Sequence, residues 1–244
     1  MRKLGIICIV LLLALGCFGA SYASWTQSLT ATNASITLGS WMAEVQGPYT
    51  GSTPSNGSST VSASWTNATK TGDLLIAILS YDNSGDTITL PSGGWTSAVS
   101  SVNPGHVTTT IYYILNAGSQ SGSYTWTSNN IRHMTIVLLE YSGVAKSSAL
   151  DMTANKNGNS GTLSTGTTGT TGQAYELAIG AMVVNGNTTF NSLSSGWAEL
   201  GSISSITGYI TSVPIYKILS ATGTQNATAL ITSQPWAGAI ATFK

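Results

Sequence analysis

The chain has 244 residues, of which 42% are hydrophobic and only 7% are charged, and its formal net charge is zero. The hydrophobic share excludes a disordered chain, and the lack of a basic stripe argues against nucleic acid as a partner. Typical globular proteins have about 25% charged residues, so most of the surface must consist of Ser, Thr, Asn and Gly.

Residues 1–23 have the three parts of a secretory signal peptide. Two basic residues precede an apolar run over residues 4–20, and Ala23 ends a cleavage site of small residues. We predict export, cleavage after Ala23, an extracellular or cell-surface location, and no membrane association of the mature chain. An uncleaved anchor and lipidation at Cys17 are the alternatives. Because Cys8 and Cys17 both fall in this leader, the mature chain would hold no disulfide.

The segment after the predicted cleavage site alternates with a period of two. Ser and Thr occupy one face, whereas Trp25, Leu29 and Ala31 occupy the other, which is typical of a half-buried strand. A turn at residues 32–34 and a second strand over residues 36–45 would complete an N-terminal β-hairpin within residues 24–46. The first strand consists of Ser24, Trp25, Thr26, Gln27, Ser28, Leu29, Thr30 and Ala31.

These N-terminal residues resemble a known family. Residues 19–29, followed by Gly39-Ser40-Trp41, are similar to the leader and first strands of the TasA/camelysin-like secreted matrix proteins, over about the first 45 residues. Members of that family in bacterial biofilm fibres and archaeal bundling pili polymerise by donating the N-terminal segment of one subunit into the sheet of the next. The resemblance implies that residues 24–31 are a polymerisation strand and that the partners are other copies of the chain.

The rest of the chain contains one β unit twice. Residues 72–79 form an almost unbroken apolar run, which predicts a strand buried on both faces, and residues 176–184 repeat it. Four landmark pairs keep nearly one spacing: Leu74 and Leu177 are 103 apart, Trp95 and Trp197 are 102, Tyr112 and Tyr216 are 104, and Tyr141 and Phe243 are 102. Such a repeat indicates duplication.

We therefore predict an all-β fold: a jelly-roll-like β-sandwich over residues 47–244, built from two similar halves, 47–144 and 151–244. The N-terminal β-hairpin and the signal peptide precede it. Residues 47–57 have the composition of a connector, and the low-complexity stretch 153–172 is expected to be a mobile surface loop or a poorly packed edge.

Residues 60–244 are similar to a duplicated Gly-Trp-containing jelly-roll module of secreted and phage-associated proteins. The resemblance implies the fold but no agreed activity. It is carried by Gly72-Asp73-Leu74-Leu75, Pro91-Ser92-Gly93-Gly94-Trp95, Tyr124-Thr125-Trp126 and Tyr141-Ser142-Gly143-Val144.

Catalytic signals are weak, and we predict that the protein is not an enzyme and has no cofactor. His106 and His133 are 27 residues apart and lie in no nucleophile or metal motif. Asp73 and Glu176 begin equivalent strands, which indicates strand ends kept in water. Glycoside cleavage needs two paired acids, but the sequence pairs none of Asp73, Asp82, Asp86, Glu140, Asp151, Glu176 and Glu199.

The best metal candidate is Asp82-Asn83-Ser84-Gly85-Asp86, in which Asp82 and Asp86 offer hard oxygen ligands to calcium. A hairpin turn is the alternative, because Asn, Ser and Gly are ordinary turn residues. N-glycosylation is possible in an exported chain at the Asn-x-Ser/Thr triplets, although a polar composition generates such triplets by itself. They begin at Asn33, Asn56, Asn67, Asn187 and Asn226.

Seven tryptophans remain after the leader, at positions 25, 41, 65, 95, 126, 197 and 236. Exposed rings could stack on sugars, but Trp236 replaces Met134 in the repeat, which indicates core positions. Two hypotheses follow. The first is a secreted, non-enzymatic structural subunit of a cell-surface filament or extracellular biofilm matrix, assembled by N-terminal strand addition. The second is a secreted adhesin or carbohydrate-binding module that recognises surface glycans.

Overall fold

The computed structural model describes residues 28–31, 34–37, 42–83, 85–115, 117–205 and 208–244. The predicted leader, the Ala23 cleavage site, Ser24, Trp25, Thr26, Gln27 and Asn33 lie outside these ranges. Within them the chain forms sixteen strands and no helix, which confirms the all-β prediction. The strands are β1 (Ser28–Ala31), β2 (Ala34–Thr37), β3 (Ala43–Ser52), β4 (Ser58–Trp65), β5 (Leu74–Asp82), β6 (Ile88–Thr89), β7 (Thr96–Asn103), β8 (Val107–Ile114), β9 (Gly122–Arg132), β10 (Met134–Ser142), β11 (Leu150–Ser164), β12 (Leu177–Asn185), β13 (Ala198–Glu199), β14 (Ile203–Ser204), β15 (Ile210–Ile218) and β16 (Thr228–Phe243).

Two large antiparallel sheets repeat one strand order. The first large sheet has the order β3-β10-β5-β8-β7, and the second has the order β11-β16-β12-β15-β13 with β14 also paired to β15. The strands that the repeat makes equivalent occupy equivalent places, because β5 and β12 are central and β10 and the end of β16 lie beside them. A small sheet, β4-β9-β6, belongs to the first half. Among the described residues, no helix is long and apolar enough to cross a membrane.

The central strands are buried on both faces, as the apolar runs predict. In β5, Leu75, Ala77 and Leu79 pack toward the small sheet, in a cluster that includes Trp126 of β9. The alternate residues of β5, such as Ile76, pack in a second cluster with the second large sheet. A strand between two apolar layers has no solvent face, so its sequence shows no polar alternation.

The two halves pack back to back through their large sheets. Ile76 and Tyr141 of the first half share a core cluster with Ile179 and Phe243 of the second half. The outer face of the second large sheet forms another cluster, in which Met182 packs with residues from the end of β11 and the start of β16. The first half is therefore a sandwich of two sheets, the second half covers the outer face of its sheet with the ends of its own long strands, and a third apolar layer joins the halves.

The expected connector at residues 47–57 holds only for residues 53–57, which lie between β3 and β4, and the second hairpin strand does not run over residues 36–45 as predicted. Residues 34–37 and 43–52 form two separate strands, β2 and β3, and β3 pairs with β10 in the first large sheet. Tyr49 packs edge-on against Trp65, with ring centroids 6.0 Å apart. The Gly and Pro residues predicted a connector, but an edge strand tolerates proline, because proline lacks only one N–H donor of the hydrogen-bond ladder.

The low-complexity stretch is an edge strand followed by an ordered segment, so a mobile loop was the wrong expectation. Residues 153–164 belong to β11, which pairs with β16. Beyond it, Thr165, Thr168 and Thr171 are buried at every third position. Each of these threonines makes two hydrogen bonds with a single partner residue. Its main-chain N–H donates to the carbonyl of that partner, and its hydroxyl accepts from the N–H of the same partner. The partners are Ala227, Gln225 and Gly223 respectively.

Candidate functional site

A pair of carboxyl groups lies at the start of the central strand of the first half. Glu140 of β10 is fully buried, and its two oxygens accept from the Lys70 main-chain N–H at 2.6 Å and from Gln46 Nε2 at 2.5 Å. Burial, followed by the nearby carboxyl group of Glu140, raises the pKa of Asp73 to about 6. Among the described residues, no donor bonds to the buried Asp73 Oδ2.

The second half also pairs two carboxyl groups, but with different partners. Glu176 is fully buried before β12, and burial followed by the charge of nearby Asp151 raises its pKa. Asp151 accepts from Lys244 Nζ at 2.6 Å and from the Gly172 N–H at 2.6 Å. Although burial opposes it, these bonds hold the pKa of Asp151 below its ordinary value.

Glu176 is fully buried, so the interpretation as a strand end kept in water was wrong for it. Asp73 is only half-buried. Each of the two lies near a second carboxyl group, that of Glu140 for Asp73 and that of Asp151 for Glu176. Both oxygens of Glu140 are already bonded, to the Lys70 N–H and to Gln46 Nε2.

A cleft of about 590 Å³ opens beside both carboxyl pairs, between the halves. Its lining includes Thr71, Gly72 and Asp73 of the first half and Gln173 and Tyr175 of the second half. The repeat makes Gly72 equivalent to Tyr175 and Ser142 equivalent to Lys244. Asp73, Lys146, Gln173 and Tyr175 contribute side chains of four different kinds. Such a volume is in the range of small-molecule sites, about 300–1,000 Å³.

Tyr175 is the unusual residue of this cleft. Its ring side chain is 68% exposed, and its φ of 61° lies in the left-handed region. The equivalent residue of the first half, 103 positions earlier, is Gly72 with a φ of 99°. A residue with a Cβ costs about 1–2 kcal/mol in this conformation, and such strain is concentrated at functional sites.

The predicted calcium ligands are occupied by donors from the protein. Asp82 accepts from the His133 N–H at 2.9 Å and contacts His133 Nδ1 at 2.8 Å. Asp86 accepts from both Arg132 Nε and Nη2 and from Asn130. Calcium would have to displace these donors, and the described residues contain no cluster of three or more acidic, His or Cys side chains around one point.

His133 lies between β9 and β10 and contacts the second half. Its ring stacks on Tyr209, with centroids 3.8 Å apart and an angle of 15° between the planes. His106 lies in the turn between β7 and β8, where its N–H donates to Asn103. The two histidines therefore lie in different loops, and each makes contacts that support the fold.

The tryptophans of the described region are core residues, as the repeat predicts. Trp95 and Trp126 pack together with ring centroids 5.5 Å apart. Burial applies to Trp65, Trp95, Trp126, Trp197 and Trp236, so none of these five rings offers a face to a sugar. The four described sequon asparagines are exposed, which is what glycosylation requires: Asn56, Asn67, Asn187 and Asn226.

The described part of the predicted polymerisation strand forms a sheet apart from the sandwich. β1 (Ser28–Ala31) pairs with β2 (Ala34–Thr37), and these two strands make up the N-terminal ribbon. In the described ranges the N-terminal ribbon is hydrogen-bonded to none of the other sheets.

Sequence reasoning missed the inter-half cleft and Tyr175. The available signal was the alignment of the two copies, which places a tyrosine opposite a glycine at the end of a turn. Comparison of the chain with protein family models, with curated proteins and with solved structures finds no match.

Proposed function

We propose that the protein is an exported, non-enzymatic structural subunit of a cell-surface filament or extracellular matrix. In this proposal, residues 24–31 of one copy add as a strand to a sheet of the next copy. The observation that carries it is the N-terminal ribbon, whose strands pair with each other and not with the sandwich. An unattached ribbon is available to another molecule.

The first large sheet provides an acceptor edge for such a strand. β3 has only β10 as a neighbour among the described strands. The opposite edge is closed, because Ser101 and Asn103 of β7 donate to main-chain carbonyls of β11. Pro48 removes one donor from β3, so pairing would involve the residues on either side of it.

Before the costs of association and ordering are subtracted, the energy of strand addition is of the size that a stable assembly needs. About six main-chain hydrogen bonds would each contribute about 0.5–1.5 kcal/mol net. Burial of the Trp25 and Leu29 side chains would add about 1.5–3 kcal/mol each. The low charge, 7% of residues, limits repulsion between copies of the chain.

Deletion of residues 24–32 tests this proposal. We expect the mature wild-type chain to form fibres in negative-stain electron micrographs and the deletion variant to remain monomeric, because it lacks the added strand. The control is the thermal unfolding midpoint, which should be nearly unchanged since the sandwich keeps its strands. A synthetic peptide of residues 24–31 should also stop fibre growth. A wild-type chain that sediments as a monomer at all concentrations, or a deletion variant that still forms fibres, would contradict it.

A further inference from the structure

The inter-half cleft has the features of a ligand site that the filament proposal does not use. Tyr175 is the most exposed large apolar side chain of the described residues, and it lines the cleft. In the equivalent turn the first half has Gly72, which takes a positive φ without a steric penalty. In the second half, the main chain of Tyr175 thus has a conformation that favours glycine.

The turn itself does not require the ring. In the first half, the Asp73 N–H donates to the Lys70 carbonyl at 3.3 Å, with Gly72 at the third position of the turn. After the turn, the Ala117 N–H donates to the Asp73 carbonyl, and the Leu219 N–H donates to the Glu176 carbonyl in the same way. Both halves therefore share the hydrogen bond that follows the turn, whether or not an aromatic ring is present, and in the first half the Gly72 N–H also donates to the Ala117 carbonyl.

Polar groups of the cleft surround the ring with both donors and acceptors. Asp73 offers carboxyl oxygens, Gln173 offers an amide, and Lys146 offers an ammonium group from the segment that joins the halves. Ser142 adds a hydroxyl. A ligand that lies against the ring could therefore form hydrogen bonds at its edges, which is the arrangement of a small-molecule site with apolar and polar walls.

The charged groups at the cleft are of both signs. Lys244 is paired with Asp151, and Lys70 and Lys146 lie near Asp73. A charged ligand of either sign would meet a like charge here, so these groups favour an uncharged ligand. Uncharged molecules that combine ring faces with many hydroxyl groups are the saccharides.

We propose that the inter-half cleft binds a neutral saccharide, whose ring stacks on Tyr175 while its hydroxyl groups bond to Asp73, Lys146 and Gln173. This site would serve a filament subunit and a free protein equally, so it goes beyond the structural function. Its ligand would reach the cleft from solvent, since Tyr175 and Gln173 are both exposed.

The test is saturation-transfer-difference NMR of the full mature chain with cellobiose, maltose, lactose and N,N′-diacetylchitobiose. We expect transfer to the ring protons of at least one disaccharide. Tyr175→Gly should weaken that binding about tenfold or more, while its thermal unfolding midpoint stays equal or rises because strain is removed. Tyr175→Phe keeps the ring and should retain binding.

Tyr209→Ala is the matched control, since Tyr209 is also exposed but stacks on His133 and does not line the cleft. It should bind as the wild type does. The proposal is overturned if no disaccharide receives saturation, or if Tyr175→Gly binds as tightly as the wild type. Because residues 24–32 are not involved, the result is independent of whether the chain forms fibres.

Discussion

The two halves share a strand order but differ in how they keep buried carboxyl groups. In the first half, Asp73 lies near Glu140, and Glu140 is satisfied by neutral N–H donors. In the second half, Thr242 takes the place of Glu140, and the second carboxyl group comes from Asp151 on β11, opposite the ammonium of Lys244. The apolar pattern of the strands thus preserved the fold, while the polar pairs changed independently.

The halves also place a necessary glycine on different strands. A Cβ on Gly51 of β3 would lie 1.9 Å from the Ser62 carbonyl oxygen. A Cβ on Gly238 of β16 would lie 2.3 Å from the Ser164 carbonyl oxygen. Each half needs one close approach of two main chains, but in one half the glycine belongs to an edge strand and in the other to an inner strand.

The largest effect is expected from adding a methyl group at these crossings. Gly51→Ala and Gly238→Ala should each lower the free energy of unfolding by about 3 kcal/mol or more, because a main-chain oxygen cannot move away as a side chain can. Urea denaturation measures the loss. Gly118→Ala is the control, since its Cβ meets nothing within 4 Å and its cost should be below about 0.5 kcal/mol. If Gly51→Ala and Gly238→Ala lose no more stability than Gly118→Ala, the two crossings are not tightly packed.

The next effect concerns the charged pair of the second half. Asp151→Asn should lower the free energy of unfolding at pH 7.5 by about 2 kcal/mol, because Lys244 loses its counter-charge and one acceptor oxygen becomes a donor. The side chain of Asp151 is almost fully buried, whereas that of Lys244 is one-third exposed, so the loss is smaller than for a fully buried pair. Thermal unfolding measures it. Full recovery of stability in a double variant with Lys244→Met would confirm that the unpaired ammonium is the cause.

The sequence predicts the apolar framework of the fold well and its polar contacts poorly. The central strands β5 and β12 were predictable because burial on both faces leaves no polar alternation. β3 was missed because the Gly and Pro residues that end strands elsewhere are tolerated at a sheet edge. The buried threonine hydroxyls of residues 165–172 were missed because their partners lie 52–62 residues away, near residue 225, and a local pattern cannot show such a contact.

One of these contacts was within reach of the sequence. Thr69 donates its N–H to the Gln120 carbonyl and accepts from the Gln120 N–H, both at 2.8 Å. Thr171 lies 102 residues later and makes the same two contacts with Gly223. A hydroxyl that recurs at the repeat spacing, in a tract otherwise typical of a loop, indicates a buried position. The carboxyl pairs gave no such signal, because their second members differ between the halves.

The smallest predicted effect on the free energy of unfolding is a gain and not a loss. It distinguishes the two carboxyl pairs by their response to pH. Burial, followed by the nearby carboxyl group of Glu140, raises the pKa of Asp73 from 3.8 to about 6. Between these values the folded state binds more protons than the unfolded state, so the free energy of unfolding falls as the pH rises from about 4 to 6. Asp73→Asn removes this ionisation, and we expect it to exceed the wild type by about 1 kcal/mol at pH 7.5, after allowance for solvent screening, with no advantage at pH 4.

Asp151→Asn should behave in the reverse way in the same thermal unfolding series. The pKa of Asp151 is lowered in the folded state, so its stabilising contribution is present above its ordinary pKa and is lost as the pH falls through the lowered value. The variant is therefore expected to be least stable relative to the wild type at pH 7.5. The two variants should therefore shift the thermal unfolding midpoint in opposite directions at pH 7.5. A shift in the same direction would mean that the two halves do not differ in their electrostatics, although Asp73 lies near Glu140 and Asp151 is paired with Lys244.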